Sequence, residues 1–449
     1  MRALRKLFAA VFRILPVSPN EKSFEGKSER VREGFPSNFA AIALNGLFFP
    51  TAGRILGAGL LLTWFVSDLS ASAVLVAVIV PIQYGLALIA QPYIAQWVST
   101  KPYRARYYAA QSLLRAVSWI TLGFSAYFLG DRRPVLLLVI FFAVVVVDAV
   151  AAGMGNIVFS DTLAKVIPTK LRGRARSWRG IFGGIAAAIA GIWIRFYFSE
   201  QSGVGSFGLL FGIAGLCYAV GGLIFGTIDE PASGPVKADK PGFSELWRKL
   251  RKLWSDDAFR KFVYAESLLV PAMQALPFFT LFARRGFGLE TESLGLLVIV
   301  DAAAPVAGNF IWGRLADRLG NRLVIIIAAP FGLLAPAVGL FLYSSSEQAS
   351  ALSILSLFAV IVFSVGITSA GIDLATKNYV LDLAPDDAER PLYIGVNDSL
   401  VGLPTMLLVA TGFIIDSFGF LPVFVGLALL TIAGIAVAVQ LPKSGKKEQ

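Results

Sequence analysis

Apolar runs of about 20 residues recur along this chain, and no other feature restricts its fold so strongly. A bilayer's hydrocarbon layer is about 30 Å thick and an α-helix rises about 1.5 Å per residue, so each run can span it. Twelve such helices are expected, at 38–64, 71–96, 105–128, 134–159, 179–199, 205–228, 259–283, 292–313, 322–343, 350–375, 392–415 and 420–441. Charged residues make up 15% of the chain, against about 25% in soluble proteins, so most of its surface must face lipid. The runs are too continuous for the short alternating strands of a membrane β-barrel. Pro50, Pro81, Pro271, Pro277, Pro305 and Pro404 do not count against helices, because membrane helices tolerate proline. The fold class is an all-α membrane protein.

The missing residue types exclude whole chemistries. With no histidine, Ser-His-Asp triads, HExxH zinc sites and histidine proton shuttles cannot be built. Cys217 is the single cysteine, so neither an intramolecular disulfide nor a cysteine metal cluster is possible. No GxxxxGK[ST] phosphate loop occurs. No enzymatic activity, metal or cofactor is expected. The net charge of +11 is topological, not a nucleic-acid footprint. Of the 40 Lys and Arg, 33 fall on the side that holds both termini and only Arg132, Arg133, Arg284 and Arg285 on the other. By the positive-inside rule both termini are cytoplasmic, and the compartment is the cell (inner or plasma) membrane.

Five segments follow: a cytoplasmic N-terminal segment 1–37, a six-helix bundle 38–228, a cytoplasmic linker 229–258, a second bundle 259–441 and a tail 442–449. Leu4, Leu7, Phe8, Val11, Ile14 and Leu15 recur at helical spacing among Arg2, Arg5, Lys6 and Arg13, as in a helix lying on a membrane surface. The linker carries a second such pattern in Phe243, Leu246, Trp247, Leu250, Leu253 and Trp254. Trp64, Trp97, Trp178 and Trp312 fall at expected helix ends, where tryptophan anchors to the interface. Gly53 with Gly57, and Gly180 with Gly184, have the four-residue spacing of close helix packing.

The two bundles echo each other. After the fourth helix come Asp161, Pro168 and Arg172; after the tenth come Asp373, Pro385 and Arg390. Such duplication implies parallel repeats related by an axis along the membrane normal, with a substrate site between them. Between the eighth and ninth helices stands GRLADRLGNR, containing Gly313, Asp317, Arg318, Gly320 and Arg322. This resembles the signature loop of the major facilitator superfamily, G-x-x-x-D-[RK]-x-G-x-[RK]. Its first-half counterpart is degenerate, with Ala95, Ser99, Thr100, Pro102 and Arg104 at the corresponding positions. The resemblance implies two pseudo-symmetric six-helix bundles, a transporter working by alternating access, and a central cavity lined by helices 1, 4, 7 and 10. It also implies gating by Asp317 at the start of the fifth helix, where a helix dipole favours an anion. Asp161, Arg172, Asp373 and Arg390 are secondary gate candidates.

Ionisable residues deep in membrane helices are functional candidates by default. Arg54 and Asp148 fall near the middle of the first and fourth helices, and are expected to form an anion-binding polar centre. Arg115 is a possible brace for Asp148, and Arg195 is expected to snorkel. Asp301 and Glu266 are the proton-carrying candidates, since desolvation favours the neutral acid. Asp398 flanks the loop between the tenth and eleventh helices. Asn45 and Gln274 add hydrogen-bonding capacity, as do Asn309 and Asn397. The expected activity is secondary active transport of a small organic solute, with Arg54 tilting it toward an anion and protons as a second partner. A monomer is expected. The alternatives are a multidrug-type efflux permease and a non-transporting assembly factor of the same fold, the latter favoured by the degenerate loop.

Overall fold

The computed structural model describes residues 2–15, 17, 24, 29–86, 94, 97–98, 100–130, 132–232, 251, 253–344, 350–384 and 390–442, and every regular element among them is helical. In chain order the helices are α1 (Arg2–Phe12), α2 (Glu29–Ile55), α3 (Leu61–Leu69), α4 (Ala73–Val80), α5 (Ala105–Leu129) and α6 (Pro134–Val166). Then come α7 (Thr169–Glu200), α8 (Phe207–Gly226), α9 (Asp257–Met273), α10 (Leu276–Phe287), α11 (Ser293–Leu319) and α12 (Asn321–Ala328). The last five are α13 (Leu334–Ser344), α14 (Ala351–Leu383), α15 (Arg390–Leu407), α16 (Val409–Phe418) and α17 (Leu421–Val439).

Among the described residues, ten helical segments are long and apolar enough to cross a membrane, and each overlays an expected run. The other two expected runs are modified. The first is broken at Leu56–Leu60, between α2 and α3, where two glycines interrupt the chain. The second is α4, which passes at Pro81 into a π-helical turn, Pro81–Leu86. Proline lacks the N–H that would continue the ordinary ladder there. Two helices begin well before hydropathy places them: α2 starts at Glu29 rather than 38, and α7 at Thr169 rather than 179. The linker between 233 and 250, residues 443–449, and Ala95, Ser99 and Pro385 lie outside the described residues.

The chain packs as two compact units, each gathered from several stretches. The first comprises 1–56, 90–190 and 201–239. Its spine is the antiparallel pair α5 and α8, which meet at backbone distance: a β-carbon at Gly123 would lie 2.6 Å from the Gly208 carbonyl oxygen, and one at Gly222 would lie 2.2 Å from Ser112 Cβ. Helix α1 packs onto α2. Phe8 is buried, and the Phe12 ring sits 5.4 Å from Phe35 and 5.5 Å from Phe39. Arg5 and Arg30 both pair with Asp229, at 3.1 and 2.6 Å, so α1 is tied to the end of α8 while Leu4, Leu7 and Ile14 stay exposed. Of the expected glycine pairs, a β-carbon added at Gly180 would meet no neighbour; Gly183 makes the close approach in that stretch, where a β-carbon would lie 3.0 Å from the Gly46 carbonyl oxygen.

The second unit comprises 57–89, 191–200 and 240–449. Its core joins α9, α11, α12, α14 and α17, with Phe262, Trp312, Ile372 and Tyr379 buried. Trp64 and Trp312 are 0% and 2% exposed, so neither is an interface anchor; Trp312 Nε1 donates to the Ile367 carbonyl at 2.9 Å. A run's end tells where a tryptophan lies along a helix, not which face it occupies.

Candidate functional site

Among the described residues, several polar constellations interrupt the apolar interior. The first, in the first unit, is a closed ion pair. Asp148 of α6 accepts from Arg115 Nε at 2.7 Å, from Arg115 Nη2 at 2.9 Å and from Trp119 Nε1 at 2.6 Å. Arg115 Nη2 also donates to the Tyr218 hydroxyl at 2.5 Å, and its guanidinium lies 3.9 Å from that ring's centre. The sequence paired Asp148 with Arg54; the structure gives it Arg115 as a bidentate partner. The reason is helical facing: Arg115, Trp119 and Asp148 are all buried on the α5–α6 contact, whereas Arg54 ends α2 half-buried.

The second constellation centres on α2 and α7 and includes Tyr108, about two turns from Arg115 on α5. Asn45 of α2 is fully buried, donates from Nδ2 to the Gly221 carbonyl at 2.8 Å, and accepts at Oδ1 from Arg179 Nε at 2.9 Å. The Tyr108 hydroxyl stands 3.5 Å from both Asn45 Oδ1 and Arg179 Nη2. The Arg179 guanidinium lies 4.3 Å from the Phe159 ring centre and 5.8 Å from that of Phe49. Gly46 makes this possible: a β-carbon there would stand 2.2 Å from the Arg179 carbonyl oxygen, so only glycine lets α2 and α7 come together.

The third is in the second unit. Glu266 of α9 accepts from Asn397 Nδ2 of α15 at 2.9 Å and from the Thr376 hydroxyl of α14. Among the described residues no cation pairs with Glu266. Asp398 and Asp373 contribute negative charge nearby, and Asp373 is itself paired with Lys377 at 2.7 Å. Asn397 Oδ1 is buried without a hydrogen-bond partner among the described residues.

The fourth closes one end of the second unit. Asp416 of α16 caps α4, accepting from Ala73 N at 2.8 Å and Val74 N at 3.4 Å, and it meets Arg285 Nη1 at 3.3 Å. Asp68 pairs with Arg284, whose guanidinium lies 5.3 Å from the Trp64 ring centre. A carboxylate at a helix N-terminus answers both the orphan N–H groups and the dipole.

The remaining sequence candidates are dispersed. Gly320 has φ +84° and makes the turn between α11 and α12. Asp317 and Arg318 are exposed near the end of α11, and Gly313 meets no neighbour. Arg322 Nη2 donates to the Val439 carbonyl at 2.6 Å, closing the end of α17. Arg172 is another C-terminal cap: it donates to the Ala164 carbonyl at 2.7 Å and the Ile167 carbonyl at 3.2 Å. Its repeat partner Asp161 pairs instead with Arg104 and, at 2.9 Å, with Lys165. Asp301 stands half-buried in α11, and Gln274 ends α9 at the break before α10. Arg195 faces Glu292 at 3.7 Å. The side chain of Arg390 lies outside the described residues.

Sequence reasoning missed Arg179 and Thr376, gave no role to Tyr108, Asp68 or Asp416, and used Arg284 and Arg285 for orientation alone. Arg179 was hidden in a basic stretch assigned to topology. The signal for the fourth constellation was present: Arg284 and Arg285 are two of only four cations on their side.

Residues 263–449 match the family model described as Major Facilitator Superfamily. Uncharacterised proteins of Mycobacterium tuberculosis and Mycobacterium bovis are 24% identical over 326 residues, or 72% of this chain. The chain's match spans 59% of the length of those relatives. A D-xylose-proton symporter superposes with TM-score 0.67 at 12% identity, covering 92% of this chain and 99% of its own. A bacterial homologue of the iron transporter ferroportin, inward-facing, gives 0.66 at 13%, covering 90% and 98%. The nucleoside transporter NupG gives 0.66 at 14%, covering 90% and 99%. At these identities the likeness is one of fold.

Proposed function

We propose, from the premise that this chain belongs to the major facilitator superfamily, that it moves a small organic solute by alternating access with Glu266 as the proton-carrying group. The reading is supported by the family match over residues 263–449 and by a fold shared with membrane transporters. The observation that carries the coupling is the lack of a cationic partner for Glu266 among the described residues: Asn397 and Thr376 hold it, and the charges nearest it are the carboxylates Asp398 and Asp373. Glu266 is half-buried, and a carboxylate withdrawn from water without a counter-charge is costly to keep ionised, so taking up a proton relieves the site. Losing that proton strands no partner. Protonation can therefore follow a change in the site's hydration, which is what coupling to alternating access requires.

The ion pairs at the end of the second unit fit the same cycle. Partly exposed pairs contribute roughly 0–1 kcal/mol each, so they hold a closure that ordinary fluctuations release. Two six-helix bundles at 38–228 and 259–441, both termini on the cytoplasmic side of the inner membrane, and a monomer complete the proposal. The Lys and Arg distribution supports the orientation.

Proteoliposomes loaded with a pH-sensitive dye test it. Added organic solutes that are substrates should drive proton movement with wild-type protein. Glu266→Gln should abolish that movement while leaving solute-for-solute exchange intact. Unchanged proton movement in Glu266→Gln would remove Glu266 from the coupling.

A further inference from the structure

Arg115 and Arg179, both in the first unit, stand in very different circumstances. Arg115 has its fork filled by Asp148. Arg179 has no carboxylate within ion-pair distance among the described residues, and neither has Arg176, three residues before it on α7. Arginine carries five N–H groups in a planar fork. In Arg179 the Nε hydrogen is committed to Asn45, and one Nη2 hydrogen is directed at Tyr108 across 3.5 Å, too long for a strong bond. The outer edge, Nη1 with the other Nη2 hydrogen, has no acceptor among the described residues.

That edge is the part of a guanidinium that grips a carboxylate through two parallel hydrogen bonds. Its position is fixed beforehand. Buried Asn45 orients the Nε side, Phe159 and Phe49 flank the planar group, and the Gly46 contact sets the backbone of α7. Such preorganisation reduces the ordering cost of binding. Arg179 is half-buried, so its side chain is not sealed from solvent. The aromatic neighbours favour a ligand whose carboxylate is attached to an apolar body.

We propose that Arg179, seated on Asn45 between Phe159 and Phe49, is a recognition site for the carboxylate of an organic acid. This rests on the transporter reading above and names its substrate class. It moves the anion-binding role from Arg54 to a residue in the basic stretch of α7.

The test measures binding without transport. Thermal unfolding of the purified protein is followed against increasing benzoate and phenylacetate, with benzamide and phenylacetamide as uncharged counterparts of the same shape. Wild type should show a saturable stabilisation by the acids and none by the amides. Arg179→Lys keeps the charge and loses the fork, and should weaken binding at least tenfold. Arg179→Gln should abolish it, and Arg195→Gln, at an exposed pair, should leave it unchanged. Absence of an acid-specific effect in wild type overturns the proposal. So does retention of binding in Arg179→Gln, loss in Arg54→Gln alone, or an Arg179-dependent response to inorganic phosphate but not to the acids. Acid binding that depends on Arg179, together with no solute-driven proton movement, sustains this site and removes the coupling through Glu266. Proton movement without acid binding does the reverse.

Discussion

Each unit holds a carboxylate within a helix, Asp148 buried and Glu266 half-buried, but in opposite company. Asp148 is held by a bidentate arginine, an indole N–H and, through Arg115, a tyrosine. Glu266 is held by an asparagine and a threonine. Both acids lie within membrane-spanning helices, and sequence alone made both candidates. The difference lies in what each leaves behind on changing charge. If Asp148 is neutralised, Arg115 becomes an uncompensated buried cation. If Glu266 is neutralised, nothing is stranded. A buried acid paired with a cation belongs to the scaffold, whereas one paired with neutral groups is free to titrate.

The largest effect that would test this contrast is at Asp148. Asp148→Asn should cost roughly 3–5 kcal/mol of stability, since one partner of a buried pair is removed. Replacing both members together, Arg115→Met with Asp148→Leu, should recover most of it. Unfolding of the purified variants measures both, and a stable Asp148→Asn breaks the contrast. Next is Gly46→Ala, which places a methyl group where the Arg179 carbonyl now lies. Overpacking of this kind costs roughly 1–3 kcal/mol, and it should weaken acid binding as much as it loosens α2 from α7. Asp416→Ala removes a helix cap and should cost about 1 kcal/mol, visible as faster labelling of a cysteine placed at Ser72. The smallest effect belongs to Glu266→Gln. The amide preserves the shape and can still meet Asn397 and Thr376, so stability should stay within about 1 kcal/mol of wild type while proton coupling disappears. A loss as large as that of Asp148→Asn would place the two acids in one class.

The spans were legible in the sequence because lipid imposes a length and a composition on every helix that crosses it. Their true ends were less so. Helix α2 continues to Glu29 through Arg30, Arg32 and Glu33, a stretch that hydropathy reads as loop. Which face a residue occupies was harder still. Arg54 and Arg115 are equally intramembrane by counting, yet only the way α5 meets α6 decides that Arg115 holds Asp148. Asn45 and Arg179 are 134 positions apart, so no local pattern relates them. The basic stretch around Arg179 was read for its sign alone, which records on which side a loop lies and says nothing of one side chain turned inward.

The glycine contacts between α5 and α8 also bear on time. With backbones this close, water cannot enter without parting the two helices over several turns. Amide protons along the line from Gly123 to Ser112 should exchange with deuterium only when the first unit opens as a whole. The amides of residues 57–59 lie outside the ladders of α2 and α3, and should exchange earlier than those of α5 and α8. The molecule thus carries its own clock, slow along one pair of helices and fast at one interruption. Ligands that act on the mobile parts should change the fast readings and leave the slow ones alone.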